Sequence, residues 1–356
     1  MKIETYRGAP FIDREEEIEF FVDWFNEVPQ RILWVYGPKS SGKTTVIEYV
    51  VEKKLLGEGA WWEKSKFWVK YINLRRKLIS SYKTFLHAFI VPDDVYKETV
   101  ESNKSFSLRV FSIERKKIKE IEAREKDLFE ALMEEIENQA QNKRPILIID
   151  EIQKLQDLYI NSNRELLKEF LNFCVSLTKE KHLGHVVILT SNTVFIERIY
   201  NDARMKATSR FKKIDHLSRE KVFEWLQIEN FRKEEIEVIW EYLGGAISFI
   251  LEAIKARKKG ENLEEFLKRE AWLAYTEIDE YLAEFGEEET EFFVKVAKEI
   301  VDKGYFDISG LKADKRRILQ AWAEKEILFY DPLELKVTGN SRIYEKGMEI
   351  LLERAG

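Results

Sequence analysis

Short apolar runs alternate with helical patterns along the first 215 residues of the chain. The runs are rich in β-branched and aromatic residues, and they lie at 32–36, 67–72, 146–149 and 186–189. Each is predicted to form a buried strand, because the segments between them space their apolar residues as helices do. Strands that alternate with helices predict an α/β fold with a parallel sheet and helices on both of its faces.

The strand signal stops after about residue 215, and helical patterns follow. Ser218 is predicted to cap a helix, and Gly244-Gly245 is predicted to end the next one. Two further helical patterns run to about residue 275. We therefore expect a small helical lid domain over residues 216–283.

The last seventy or so residues change pattern again. A helical apolar stripe ends at Gly304, and a second stripe follows it. The run 327–330, an Asp331-Pro332 turn and the alternating segment 333–337 predict a hairpin, which a helix from Ser341 follows. This order of elements is typical of a winged helix, here expected over residues 284–356.

Length and composition narrow the class of protein. A chain of 356 residues favours two or three domains. The single cysteine, Cys174, lies in an apolar helical stretch, so disulfides and thiolate zinc sites are excluded and a reducing, cytoplasmic setting fits. No stretch approaches the ~20 apolar residues of a membrane span, and the first 14 residues do not resemble a signal peptide. A membrane partner is therefore not expected.

The strongest chemical signal directly follows the first strand. It reads Gly37-Pro38-Lys39-Ser40-Ser41-Gly42-Lys43-Thr44 and fits the P-loop pattern G-x-x-x-x-G-K-[ST]. Glycines let the backbone wrap a phosphate, and successive N–H groups with the following helix form an anion-binding nest. Lys43 is predicted to neutralise the β- and γ-phosphates of ATP, and Thr44 to bind Mg²⁺. The helix continues with Thr45, which we include among the nucleotide-binding residues.

Polar residues end two more of the predicted strands. Asp150 and Glu151 follow 146–149; Asp150 is expected to hold Mg²⁺, and Glu151 to orient and deprotonate the attacking water. Thr190-Ser191-Asn192 ends the next strand, where a side chain can reach the γ-phosphate or the lytic water. Asn192 is favoured and Ser191 is the runner-up; a plain helix N-cap is the alternative.

These motifs together resemble the archaeal ATPases of the AAA+/STAND group, in which the string Asp-Glu-Ile-Gln, here 150–153, is characteristic. The resemblance covers most of the chain and implies an ATPase domain (residues 1–215), the lid and the winged helix. Segment 11–17 is similar to the family's F-x-x-R-E-x-E opening, which implies that Arg14 lies near the adenine. A capping box formed by Asp13 and Glu16 is the alternative explanation.

The resemblance also implies an arginine near the γ-phosphate, supplied after the fourth strand. Arg204 is closest to the family position and is expected to act as a catalytic residue, either within its own chain or in trans within a homo-oligomer. Arg210 is the competitor, and Arg198 has a predicted surface role. The family's G-G-x-P pattern reads Gly244-Gly245-Ala246-Ile247 here. Ile247 therefore leaves open the nucleotide contact expected of the proline, and with it the coupling of the lid to the nucleotide.

Three classes of function fit these residues. The first is a switch that acts on a protein partner, in which ATP closes the core against lid and winged helix. The second is a DNA-acting ATPase resembling the origin-recognition initiators. The third binds nucleotide without hydrolysis, which Lys43, Asp150 and Glu151 weigh against.

The charge of the winged helix separates the first two classes. A basic cluster at the start of its predicted recognition helix favours contact with DNA; it consists of Lys312, Lys315, Arg316 and Arg317. Residues 286–356 nevertheless hold 12 Lys and Arg against 15 Asp and Glu, a net charge of −3, and the whole chain carries −6. A reader of duplex DNA usually has a basic surplus. We therefore favour a protein partner and keep weak DNA binding as the alternative.

Overall fold

A computed structural model describes residues 4–6, 9–12, 14–57, 64–76, 78–102, 110–123, 127–156, 158–160 and 164–355. Up to the end of the fourth strand the elements are β1 (Glu4–Tyr6), β2 (Ala9–Phe11), α1 (Glu15–Asn26), β3 (Ile32–Tyr36), α2 (Lys43–Tyr49), which a π-helical segment Val50–Leu56 extends, and β4 (Phe67–Asn73). The next group is α3 (Tyr82–Phe89), β5 (Ile90–Pro92), α4 (Asp93–Ser102), β6 (Phe111–Ile113), α5 (Arg115–Glu122), α6 (Leu128–Ala140) and β7 (Arg144–Asp150). The remaining elements of this part are β8 (Tyr159–Ile160), β9 (Arg164–Glu165), α7 (Leu166–Val175), β10 (His185–Leu189), α8 (Thr193–Asn201), α9 (Ala203–Thr208) and β11 (Ser209–Lys213).

The central sheet has five parallel strands in the order β11-β3-β10-β7-β4. All four predicted strands form within it. One apolar cluster covers each face of the sheet, so the predicted α/β fold with helices on both faces is confirmed. Cys174 is fully buried in α7.

The fifth strand, β11, was not expected from the sequence. It lies at an edge of the sheet, beside β3 alone, and its residues 209–213 are mostly polar. An edge strand needs no continuous apolar run, because one side of it faces solvent. Phe211 packs its ring against Trp34 and Tyr200. It thus anchors the sheet edge.

An insertion of helices and a small parallel pair, β5 and β6, lies between β4 and β7. Most of the segment from residue 115 to 140 forms two helices, α5 and α6. Their apolar residues, including Ile118, Ile121 and Leu132, pack into the cluster on one face of the sheet. The insertion therefore extends the core of the sheet on that side.

The lid consists of α10 (Arg219–Ile228), α11 (Lys233–Leu243), α12 (Ile247–Lys258) and α13 (Leu263–Leu282). The hydroxyl of Ser218 accepts a hydrogen bond from the N–H of Lys221 and caps α10 as predicted. Gly244, with φ of 55°, ends α11 as predicted. The last helix continues seven residues past the expected limit of 275, to Leu282.

The winged helix consists of α14 (Glu287–Lys303), β12 (Phe306–Asp307), α15 (Ala313–Glu324), β13 (Leu328–Asp331), β14 (Lys336–Gly339) and α16 (Arg342–Ala355). Its sheet order is β12-β14-β13. The predicted hairpin forms, but its second strand begins at Lys336 rather than at residue 333, because the turn is longer than the Asp331-Pro332 signal suggests. The Asp331 carboxylate accepts hydrogen bonds from the N–H groups of Leu333 and Glu334 and so holds this turn. The boundaries at 215 and 283 stay predictions.

In the part of the chain that the structure describes, no helix combines the length and the apolarity that crossing a membrane requires.

Candidate nucleotide-binding site

The P-loop joins β3 to α2, in the strand-loop-helix context that the motif requires. Gly37 has no room for a side chain, because a Cβ there would lie 2.1 Å from the carbonyl oxygen of Ile214. Gly42 precedes α2 with φ of 84°, a left-handed conformation that glycine adopts without strain. The predicted glycines therefore stand where the backbone needs them.

Lys43 is buried within the loop that it is predicted to serve. Its Nζ donates to the carbonyl oxygens of Gly37 at 3.0 Å and Pro38 at 2.8 Å, and lies 3.4 Å from the hydroxyl of Ser41. Burial lowers the pKa of Lys43 to about 8, although Asp150 and Glu151 oppose the shift. The ammonium thus lies where an incoming phosphate would replace backbone carbonyls as its partner.

Nucleotide binding is expected to take up protons above neutral pH. In the free protein Lys43 loses its charge as the pH rises through about 8, whereas a bound phosphate favours the ammonium and raises its pKa. Calorimetry with MgADP in two buffers of different ionisation enthalpy should show this uptake at about pH 8.5 and little of it at about pH 7, where Lys43 is charged in both states. Equal uptake at the two pH values would contradict the assignment.

Asp150 lies at the carboxyl end of β7 among three donors. Its Oδ2 accepts hydrogen bonds from the hydroxyl of Thr44 at 3.1 Å, the hydroxyl of Tyr71 at 3.0 Å and the amide of Asn73 at 2.9 Å. Burial raises the pKa of Asp150, and the bonds from Tyr71 and Thr44 oppose the shift. The predicted pair of Thr44 and Asp150 therefore meets in the fold.

Tyr71 and Asn73 were missed by sequence reasoning. Both come from β4, which runs beside β7 in a register that pairs Asn73 with Asp150. Only the strand order reveals that neighbourhood. A usable signal was present in the two alternate polar residues at the end of the strand, Tyr71 and Asn73.

The oxygen donors at this edge fit a magnesium ion. Thr44 and Asp150 offer a hydroxyl and a carboxylate, the hard ligands that Mg²⁺ prefers, and phosphates and water commonly complete its shell. Among the described residues, no group of three or more His, Cys, Asp and Glu side chains is arranged to hold a metal by itself. The arrangement fits an ion that is held jointly by the protein and a nucleotide.

Glu151 follows Asp150 in a left-handed backbone conformation, with φ of 65°. Its carboxylate is 12% exposed, and each oxygen has a partner: Oε1 pairs with Arg75 at 2.9 Å, and Oε2 accepts from Gln153 at 2.9 Å. Gln153 in turn accepts a hydrogen bond from Thr190 at 3.0 Å. These contacts connect Glu151 to the end of β10, where Thr190-Ser191-Asn192 lies.

Asn192 caps α8 by accepting the N–H of Phe195 at 2.9 Å, which is the alternative that the sequence left open. Its catalytic role stays a prediction. The side chain of Arg204, in α9, lies outside the described residues, so its role also stays a prediction. Arg210 pairs in register with Leu33, and its guanidinium lies over the rings of Phe20 and Trp24 of α1. That position does not support a γ-phosphate contact by Arg210.

A cavity of about 260 Å³ opens beside the P-loop. It is lined mainly by apolar and aromatic side chains from the N-terminal segment, α2 and the lid, among them Phe11, Val46, Leu217, Trp225 and Ile247, together with Arg14 and Thr45. A planar adenine suits such a surface.

Arg14 is 5% exposed and joins the P-loop to the segment before the lid. Its guanidinium donates to the carbonyl oxygens of Ser41 at 2.6 Å and Asp215 at 3.0 Å. Arg14 therefore forms part of the wall of this cavity, and its contact with a base stays a prediction. Asp13, the partner in the alternative capping box, lies outside the described residues.

Ile247 replaces the family's proline and brings a donor that proline lacks. Its N–H donates to the carbonyl oxygen of Ser40 at 3.2 Å, and the hydroxyl of Ser248 donates to that of Ser40 at 2.7 Å. A proline at position 247 would lose the first bond. The lid is thus coupled to the P-loop through a contact that depends on this substitution.

The winged helix also contacts the P-loop. The N–H of Lys39 donates to Oδ1 of Asn340 at 3.3 Å, and its ammonium pairs with Glu326. Asn340 is 6% exposed and is held by its own bond to the carbonyl oxygen of Glu326 at 2.7 Å. The side chain of Asn340, in the winged helix, therefore accepts a hydrogen bond from the Lys39 N–H, one of the P-loop amides predicted to bind phosphate.

A second contact joins the winged helix to α8. The carboxylate of Glu197 is 12% exposed and accepts bonds from Arg316 at 3.3 Å, Tyr330 at 3.0 Å and Gln320. Arg316 and Gln320 lie four residues apart on α15, so one face of this helix rests on the ATPase core. Sequence reasoning missed Glu197, because nothing local marks a carboxylate whose partners lie more than a hundred residues away.

The predicted basic cluster is divided by these contacts. Arg316 turns towards Glu197, and Lys315 pairs with Glu288 at 2.8 Å. Lys312 and Arg317 are exposed. The four residues therefore do not form one continuous basic surface in this arrangement.

The parallel sheet, its P-loop and the paired carboxylates at the end of β7 define a P-loop nucleoside triphosphatase fold that carries a lid and a winged helix. Residues 11–253 match the model of an ATPase domain found predominantly in Archaea, and the chain belongs to that family. It is 33% identical over 309 residues to an ATP-binding protein of Methanocaldococcus jannaschii, covering 81% of this chain and 82% of the relative. An ATP-binding protein of Pyrococcus horikoshii is 31% identical over 330 residues, which cover 91% and 93% of the two chains.

Two solved structures share the fold at low sequence identity. The Walker-type ATPase PABY2304 of Pyrococcus abyssi superposes with a TM-score of 0.64 at 14% identity, covering 98% of this chain and 99% of the other. The ORC2 protein of Aeropyrum pernix, in ADPNP and ADP complexes, superposes with a TM-score of 0.50 at 13% identity, covering 100% and 96%. These likenesses extend over nearly the whole chain, so they support the α/β P-loop fold.

Proposed function

We propose that this protein binds ATP with Mg²⁺ at the P-loop and hydrolyses it. The observation that carries the proposal is the meeting of Thr44 with Asp150, beside Glu151 and the buried Lys43. The names of the relatives, as ATP-binding proteins, support the choice of nucleotide.

Each residue has a role that follows from its chemistry. Lys43 neutralises the β- and γ-phosphates, and the loop amides hold the phosphate oxygens. Thr44 and Asp150 hold Mg²⁺, which supplies charge neutralisation across the phosphates when bound. Glu151 orients the attacking water and takes its proton, once its carboxylate is released from its present partners.

We further propose that nucleotide binding drives a switch in the position of the winged helix. Phosphate oxygens that use the Lys39 amide compete with Asn340 for it, so binding weakens the contact between the P-loop and the winged helix. This is the reverse of the closure expected from the sequence, since the occupied amide favours release of the winged helix on ATP binding. The lid stays coupled to the loop through Ile247 and Ser248.

Glu197 is the second point at which the switch acts. It lies on α8, whose N-cap is Asn192, next to the proposed γ-phosphate position. A shift of α8 on nucleotide binding would weaken the bonds of Glu197 to α15 and expose the face of α15 that carries Arg316 and Gln320. We favour a function in which a protein partner binds to this face of α15.

Replacing Glu197 by Ala is expected to release the winged helix without nucleotide. The change removes the shared acceptor of three winged-helix side chains and leaves Arg316 without its carboxylate. Amide hydrogen exchange in α15 of the Glu197→Ala protein should then rise roughly tenfold, as expected for the loss of about 1.4 kcal/mol, towards the rate of the wild type with ADPNP.

Glu288→Ala is the matched control. It removes the partner of Lys315, which lies on α15 beside Arg316, but this ion pair joins two helices of the winged helix and does not reach the ATPase core. Equal exchange in the two variants and the wild type would rule out the proposed release.

The alternative function, a DNA-acting ATPase, is tested by the ATPase rate of the wild type alone, with duplex DNA and with single-stranded DNA. Stimulation by DNA that weakens steeply with salt would favour a DNA-acting ATPase.

A further inference from the structure

The end of β4 and the 3₁₀ turn Leu74–Arg76 that follows it bring three side chains to the proposed catalytic carboxylates. Tyr71 and Asn73 bind Asp150, and Arg75, two residues further on, binds Glu151. The side-chain amide of Asn73 donates to Asp150 through Nδ2, and its Oδ1 accepts a hydrogen bond from the backbone N–H of Arg75 at 3.0 Å. The backbone at Arg75 is therefore fixed relative to the carboxylate that is proposed to hold Mg²⁺.

The positive charge of Arg75 also acts on Lys43, the proposed phosphate-binding lysine. Burial is the main reason that the pKa of Lys43 is low, and the positive charge of Arg75 adds to the effect. The same charge counteracts the rise that burial causes in the pKa of Asp150. Arg75 thus contributes to the electrostatic field at the position where a γ-phosphate is proposed to bind.

We propose that Arg75 is a catalytic residue that contacts the γ-phosphate of ATP from within the same chain. The proposal rests on the proposed function, since it assigns a residue to the same ATP site. In this structure Arg75 bonds Glu151 instead, and a γ-phosphate competes with that carboxylate for the guanidinium. The exchange has two consequences: Arg75 neutralises charge on the γ-oxygens, and Glu151 is released to bind the attacking water.

The exposure of Arg75 favours this exchange over a stable ion pair in which Arg75 keeps Glu151 bound. Arg75 is 61% exposed, and ion pairs in such positions contribute little to stability, so this one holds Glu151 only weakly. A γ-phosphate carries more negative charge than a carboxylate and presents oxygens that fit the planar fork of a guanidinium. We therefore expect Arg75 to bind the γ-phosphate in preference to the Glu151 carboxylate.

Arg75 and Arg204 can be distinguished by complementation. The family resemblance implies that Arg204 lies near the γ-phosphate, with its action in cis or in trans left open, whereas Arg75 is proposed to reach the γ-phosphate of its own chain. Loss of Arg75 therefore cannot be complemented by a neighbour whose Arg75 is intact but whose Glu151 is not, since both residues serve the same active site.

The first test compares affinities for ADPNP and ADP by calorimetry, which requires no hydrolysis. Arg75→Ala should weaken ADPNP binding about 10- to 100-fold, the range for a hydrogen bond to a charged group, and leave ADP binding unchanged. Arg75→Lys should recover part of the loss, because it keeps the charge without the fork. The matched control is Arg115→Ala: Arg115 is 58% exposed and pairs with Asp94, far from the P-loop in sequence.

The second test measures turnover. Arg75→Ala should lower kcat about 10- to 100-fold, with no recovery when the variant is mixed with Glu151→Gln protein. An unchanged ratio of ADPNP to ADP affinity, faster hydrolysis by Arg75→Ala, or recovery on mixing would overturn the proposal. If the wild type does not hydrolyse ATP, the proposed function fails in its catalytic part, and the affinity ratio still decides the role of Arg75.

Discussion

The Glu151→Gln protein is expected to bind ATP and to hydrolyse it about 10²- to 10⁴-fold more slowly than the wild type, the usual contribution of a general base. The amide has the shape of the carboxylate but cannot take a proton from water. The bond from Gln153 to Oε2 can rearrange around an amide, so the fold of the site should persist. Phosphate release under saturating ATP and calorimetry with ADPNP separate turnover from binding.

Glu137→Gln is a suitable control for this variant. Glu137 pairs with Lys181 on the surface, much as Glu151 pairs with Arg75, but it lies on α6 away from the P-loop. Its replacement should leave turnover unchanged. Hydrolysis by Glu151→Gln at the wild-type rate would move the base to another residue.

Lys43→Ala is expected to reduce nucleotide affinity by about 2–5 kcal/mol, the loss found when one member of a buried charge pair is removed. That corresponds to roughly 30-fold to several-thousand-fold in Kd. The physical reason is that the β- and γ-phosphates lose the buried ammonium inside the loop, where water replaces it poorly. Calorimetric titration of ADPNP in the presence of Mg²⁺ measures the loss directly.

The control for Lys43→Ala is Lys117→Ala, which removes a half-exposed lysine that pairs with Glu134 on the insertion. It should bind ADPNP as the wild type does. Unchanged affinity in Lys43→Ala, with a retained fold by circular dichroism, would show that the P-loop is not the nucleotide site.

Much of the fold follows from local sequence. The four predicted strands are mostly apolar because both faces of the sheet are covered, and such runs are visible without any knowledge of neighbours. The P-loop is equally local, since its glycines, its lysine and the start of α2 all lie within a few residues of one another. Ser218 and Gly244 act through their own helix ends, so their positions could also be predicted.

The parts that could not be predicted depend on distant partners. The edge strand β11 owes its place to pairing with β3 and not to its own composition. Arg75 lies at the proposed catalytic site only because β4 runs beside β7. Glu197 gains its role from α15 and β13, and Ile247 gains its bond from the carbonyl oxygen of Ser40. In each case the decisive contact joins segments whose separation gives no periodic signal.

The resemblance to the family contributed the expectation that the residue after Gly244-Gly245-Ala246 matters. It could not show the direction of the effect, because the family's proline and this chain's isoleucine act by different means. Proline restricts the backbone, whereas the N–H of Ile247 donates to Ser40. The coupling of lid to P-loop is therefore present in this chain through a different contact.

The most direct test of the account is the rate of phosphate release from saturating ATP by the purified wild type, with excess Mg²⁺ and with excess EDTA. The account predicts steady release with Mg²⁺ that falls to the background level with EDTA, because Thr44 and Asp150 then have no ion to hold against the phosphates. Release at one and the same rate in both conditions, no faster than that of Lys43→Ala, would contradict it.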